Sequence, residues 1–272
     1  MTSAALPAQP SIRTVTTVDL WKTAALLLIL CDHLWFYIWP GQLWLTALGR
    51  AALPIFFFLI GFARTRHVPW FWWAAGAALT SLDLWRHGGF ENICLNIMFN
   101  FAVIRLALPL VETHLMRAWW RIALFAVVLA ALMPLAGQVV EYGTAGWLLA
   151  LVGLAHRRAL DFGGDRQRDP AWLIRRALGA FVTLAYIGME LYDYEFGVTE
   201  TWIMAGGVIL VSGLLLRFRR ETVSVRLPSV LSALSRLCGR RSLEIYIAQI
   251  VVLMGLGLAL GVDAADEDGD EE

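Results

Sequence analysis

Lysine is nearly absent from this chain. Of its 22 basic residues all but Lys22 are arginine, and charged residues of both signs make up only 16% of the sequence. With 59% of residues apolar, a soluble domain is excluded, because a single globular core has no room for so many long apolar runs. Cysteine is also scarce. Cys31, Cys94 and Cys238 show neither disulfide nor metal spacing and are read as small apolar filler. No Cys/His constellation, phosphate-cradling Gly loop or Gly-x-Ser-x-Gly elbow occurs, so no metal is expected and the common hydrolase and nucleotide-loop chemistries have no motif here. No cleavable signal is visible either: the first apolar segment is too long, lacks a small-x-small exit and is interrupted by Asp32 and His33.

What is present is a series of apolar segments near 18–39, 43–63, 70–86, 93–111, 118–136, 139–156, 172–190, 199–217 and 242–261. They predict an all-α polytopic membrane protein, a bundle of about nine (eight to ten) transmembrane helices. Trp and Tyr crowd several segment ends, as at Trp35, Tyr37 and Trp39 and at Trp70, Trp72 and Trp73, which suits an interfacial belt. Between Leu227 and Cys238, Val230, Leu231, Leu234 and Leu237 recur at helical spacing, predicting an amphipathic helix lying on the cytoplasmic surface. The expected organisation is a cytoplasmic arm (1–17), one membrane domain (18–261) and an acidic disordered tail (262–272).

Arginine placement orients the bundle. Arg13, Arg64 and Arg66, Arg117 and Arg121, and the groups at 157–176 and 217–241 fall in alternate connections. The others carry Glu141 and the acidic run Glu190, Asp193, Glu195 and Glu200, with Arg86 the exception. The positive-inside rule then makes the N-terminus cytoplasmic. It also accounts for the basic loops, so membrane lipids are the expected partners and nucleic acid is not.

A few polar residues fall at membrane depth, where they are costly and mark candidate sites. Lys22 and His33 lie almost three turns apart on one face of the first helix, about 16 Å along its axis. Arg50 on the second helix sits at nearly the depth of His33; Asn96, Asn100 and Arg105 follow on the fourth. The expectation is that Lys22, His33, Arg50 and Asn96 converge on one interior cavity, because lipid offers them no hydrogen-bond partner. Each has an alternative. Lys22 is near enough to the surface to snorkel. Arg50 could pair structurally with Asp32 or Glu141, the asparagines could be interhelical glue, and Arg105 could bind a lipid phosphate. His33, beside Asp32, is the strongest candidate for chemistry: a neutral imidazole is a competent general base, and a carboxylate orients it.

Four stretches carry a family resemblance. They are Asp19-Leu-Trp-Lys22 through Asp32-His33-Leu, Gly49-Arg50-Ala-Ala-Leu-Pro54 through Gly61, Leu95-Asn96-Ile-Met-Phe99, and Glu141-Tyr142-Gly143-Thr-Ala-Gly146. In order over residues 19–156 they resemble the TraX family, which sits with a wider group of transmembrane acyltransferases. Those enzymes open with Arg, ten residues, then His; Lys22 and His33 occupy those places. Later, Gly239-Arg-Arg-Ser242-Leu-Glu-Ile-Tyr246-Ile-Ala-Gln249 resembles their late helix, with Gln249 where many relatives have His. The resemblance implies a bacterial inner-membrane enzyme with acyl-CoA, in particular acetyl-CoA, as donor. It also implies an envelope acceptor: the family is associated with acetylating pilin, and relatives acetylate glycans or other membrane acceptors. It casts His33, Asp32 and Lys22 as catalytic, and Arg50, Asn96, Asn100, Arg105, Glu141, Tyr246 and Gln249 as substrate-binding. Its rival is a non-catalytic subunit of a larger membrane complex that keeps the fold.

Overall fold

A computed structural model describes residues 15–87, 94–161, 170–221 and 228–262. Most of the expected arm and tail, and parts of the 157–171 and 217–241 connections, lie outside the described residues. All nine apolar segments are helical. The helices are α1 Thr17–Tyr37, α2 Leu43–Gly49, α3 Ala52–Phe62, α4 Trp70–His87, α5 Ile97–His114, α6 Trp119–Ala131, α7 Met133–Gly137, α8 Gly143–Asp161, α9 Pro170–Asp193, α10 Val198–Leu215, α11 Ser229–Arg240 and α12 Ser242–Leu260. Two of the expected segments are each split, the second into α2 and α3, the fifth into α6 and α7. Among the described residues, six spans are long and apolar enough to cross a membrane: α1, α2–α3 together, α5, α10, α12 and Trp172–Asp193 of α9. The chain is an all-α polytopic membrane protein.

Local chemistry sets the helix ends that matter for the site. Thr16 and Asp19 form a reciprocal capping box at the start of α1, with the Asp19 carboxylate accepting from the Thr16 backbone N–H at 2.9 Å. The break between α2 and α3 has a cause in Pro54. Proline has no N–H to give the carbonyl four residues back, which belongs to Arg50. The Tyr186 hydroxyl on α9 donates to that carbonyl instead, at 3.1 Å, so the freed acceptor is satisfied from a neighbouring helix as the membrane interior demands.

Helix α8 is the axis of the bundle. It is buried along most of its length and packs on α3, α5, α6, α7 and α9. The closest approach is to α3, where Gly61 lies on the Ala150 carbonyl and Gly153 on the Phe58 carbonyl; a methyl at either glycine would fall on backbone. Small residues that let backbones touch are the usual means of packing helices where no hydrophobic drive distinguishes protein from lipid. The opposite surfaces of the outer helices expose Leu110, Leu124, Leu184, Leu210 and Val252.

Helix α11 is amphipathic and docks on α1. It packs against the first two turns of α1 through its small residues: Ser235 and Gly239 are buried, and the Ser235 carbonyl accepts from Thr23 at 3.4 Å. Its Val230, Leu231, Leu234 and Leu237 face outward. The amphipathic period is as expected, but the docked face is the small, polar one.

Candidate functional site

Successive residues of a helix point about 100° apart, and that rotation divides the expected site. Asp32 turns toward α2, and His33 turns toward α12. The Asp32 carboxylate accepts from the Thr46 hydroxyl at 2.6 Å and from Arg50 Nη2 at 2.9 Å. Gly49 makes this approach possible, since a Cβ there would strike Asp32. The Arg50 guanidinium also donates to the hydroxyls of Tyr142 at 3.1 Å and Tyr194 at 2.9 Å, and its Nε lies 3.5 Å from Glu190 Oε2. Arg50 and Glu190 are both fully enclosed. One cation is thus held by two carboxylates and two phenols from α1, the α8 entry, α9 and the segment beyond it. Of the two partners foreseen for Arg50, Asp32 is present and Glu141 is not. The Thr46 and Arg50 bonds both fall on Asp32 Oδ1, and the side chain that reaches the His33 ring nitrogen is Gln249 rather than Asp32.

Glu141 serves another purpose. Its carboxylate accepts from the Ile97 N–H at 2.8 Å, at the first turn of α5, where four backbone donors lack intrahelical partners. Asn96 caps the same helix, accepting from Met98 N–H at 3.2 Å. Asn100 donates to the carbonyls of Glu141 at 3.0 Å and Gly143 at 2.9 Å. A single bridge between Leu95 and Val140 completes the joint. Tyr142 adopts φ 60°, the left-handed region a tyrosine rarely visits, and this turn delivers its hydroxyl to Arg50. In this arrangement Asn96, Asn100 and Glu141 fasten α5 to the start of α8.

The third group surrounds a cavity of about 680 Å³. Val18, Lys22 and Ile29 line it from one face of α1; Phe56, Leu59 and Ile60 from α3; Ile97, Phe101 and Arg105 from α5; and Ser242, Leu243 and Tyr246 from α12. At one end the wall is ionic, with Arg64, Arg157, Arg219 and Arg220 against Asp161 and Glu221. The other end is apolar and closes at Ile29, Ile97 and Tyr246. His33 is one turn beyond Ile29, and its ring centroid stands 5.6 Å from that of Tyr246. Gln249, one turn further along α12, approaches His33 Nδ1 with its amide nitrogen at 3.2 Å. Lys22 donates to the Gly239 carbonyl at 3.1 Å, among the last carbonyls of α11, which have no donor within the helix. Arg105 donates to Thr65 and lies over the Trp72 ring, 5.1 Å from its centroid.

Of the four residues expected on one interior cavity, Lys22, His33, Arg50 and Asn96, only Lys22 lines it. Lys22, Arg105 and Tyr246 share the cavity wall, with His33 and Gln249 behind Tyr246. Asp32 and Arg50 form a separate buried cluster, and Asn96, Asn100 and Glu141 a joint. Sequence reasoning missed Glu190, Tyr194, Thr46 and Tyr186, and of the cavity arginines it singled out Arg105 alone as a site residue. The available clue was Arg50 itself: one arginine deep in an apolar helix needs more than one acceptor.

A family profile described as TraX protein matches residues 17–163, more than half of the chain. Protein TraX of Escherichia coli strain K12 is 33% identical over 152 residues, 53% of this chain and 57% of that protein. A second Protein TraX from Escherichia coli is 32% identical over the same shares. The chain thus spans a little over half the length of the curated relatives it matches. No solved structure matches.

Proposed function

The chain belongs to the TraX family, and from that premise we propose that it is a bacterial inner-membrane acyltransferase. It moves an acyl group, acetyl in the first instance, from acyl-CoA to a hydroxyl or amine on a membrane or envelope acceptor. The cavity carries this reading. Its ionic end supplies arginines suited to phosphates, its apolar end suits a thioester arm, and it closes one turn short of His33. Arg64, Arg219 and Arg220 would hold the donor's phosphates, and Lys22 and Arg105 would steady it further in. His33 removes the proton from the acceptor as its oxygen or nitrogen attacks the thioester carbonyl. The carbon–sulfur bond breaks, and the imidazolium returns the proton to the departing thiolate. With the phosphate-binding end facing the cytoplasmic donor pool, the N-terminus is cytoplasmic.

One observation favours the rival reading of a non-catalytic membrane subunit: the ring of Tyr246, not that of His33, forms the cavity wall. Release of labelled acetate-bearing product from acetyl-CoA, in membranes containing the protein and the native envelope acceptors, separates the two. His33→Ala is expected to lower turnover on the order of a hundred- to ten-thousand-fold, as removal of a general base does, with the protein still inserted. Wild-type membranes without turnover, or His33→Ala indistinguishable from wild type, would establish the subunit reading instead.

A further inference from the structure

We infer that Gln249 is the positioning residue for His33, taking the place that Asp32 occupies in the sequence but not in space. The inference rests on the acyltransferase reading of the same site. Three observations bear on it. The Asp32 carboxylate is engaged by Thr46 and Arg50. Gln249 on α12 reaches His33 Nδ1 at 3.2 Å. The rings of Tyr37 and Tyr246 lie beside it, with centroids at 6.0 and 5.6 Å.

An imidazole can act as a base only through a nitrogen whose lone pair is free, and the partner of one nitrogen decides the state of the other. With the Gln249 amide N–H toward the ring, Nδ1 accepts, and the ring's own proton sits on Nε2. Rotated half a turn, the amide presents Oε1, which accepts from Nδ1–H and leaves the Nε2 lone pair free. The second arrangement is the reactive one. As Nε2 takes the acceptor's proton, Nδ1–H keeps its bond to Oε1, and the same bond persists while Nε2 returns the proton to the thiolate. A carboxylate would serve this role as an acceptor only, whereas an amide serves it without adding a second negative group beside Asp32. The ionisable groups facing His33 are Asp32 and Tyr37 on α1, Arg50 at the α2–α3 break and Tyr246 on α12.

The test compares Gln249→Leu with Gln249→Glu in the acetyl-CoA turnover assay, each variant's membrane level being checked by immunoblot. Gln249→Leu should lower kcat by about a hundredfold, toward the lower end of what a general base contributes, with KM for acetyl-CoA little changed because the cavity wall is intact. Gln249→Glu, which offers an acceptor and no donor, should recover most of that loss. If Gln249 only packs α12 on α1, a carboxylate at that depth should be at least as damaging as leucine. Equal losses in the two variants, or no loss in Gln249→Leu, would overturn the role while leaving the enzyme reading standing. Absence of turnover in the wild type would overturn both.

Discussion

Removing the Arg50 guanidinium would leave Asp32 and Glu190 enclosed without their cation. Breaking a buried pair in this way costs about 3–5 kcal/mol, so Arg50→Met should unfold well below wild type in detergent. Arg50→Lys should recover little, because a point charge cannot reach Asp32, Tyr142 and Tyr194 together as the planar fork does. His33→Ala should leave unfolding close to wild type. A thermal unfolding series on the three variants checks this, and a His33→Ala loss equal to that of Arg50→Met would mean the two groups are one structural unit. At this scale the sequence marks the residues but not their partners. Asp32 and His33 are neighbours in the chain, yet the helical twist sends one to Arg50 and the other to Gln249. Glu190 reads as the first of an outer acidic run, and only the continuation of α9 to Asp193 brings it into the bundle.

Helices were the most legible level, since apolar segments of spanning length leave few alternatives in a bilayer. All nine segments are helical, and the α2–α3 break follows from Pro54. The central position of α8 was not legible. Its segment ends at His156 and runs straight into Arg157 and Arg158, yet the helix is buried along most of its length, and its glycines set the distance to α3. Gly61→Leu and Gly153→Val should both reduce folded yield, since overpacking costs about 1–3 kcal/mol even where the backbone can shift, and here it cannot. Size-exclusion profiles of the two variants are the check; a wild-type profile for both would mean α3 and α8 are not in backbone contact. Arginine placement predicts that reporters fused after His67 and Gly197 fall in opposite compartments. The same compartment for both would invalidate the assigned sidedness.

Across the whole molecule, the cavity joins two features that lie far apart in the chain: arginines from the α3–α4 and α10–α11 connections and from the end of α8, and an apolar pocket built by α1, α3, α5 and α12. None of this is visible in any one segment, because it depends on which loops gather at one end. The most direct test is photocrosslinking with an acyl-CoA carrying a diazirine at the end of a short acyl chain, in membranes containing the intact protein. Adducts mapped by mass spectrometry are expected on α1 between Ile29 and Tyr37 and on α12 around Tyr246, and excess acetyl-CoA should suppress them. Adducts confined to lipid-facing positions such as Leu124 and Val252, or labelling that acetyl-CoA does not displace, would contradict the assignment of this cavity to an acyl donor.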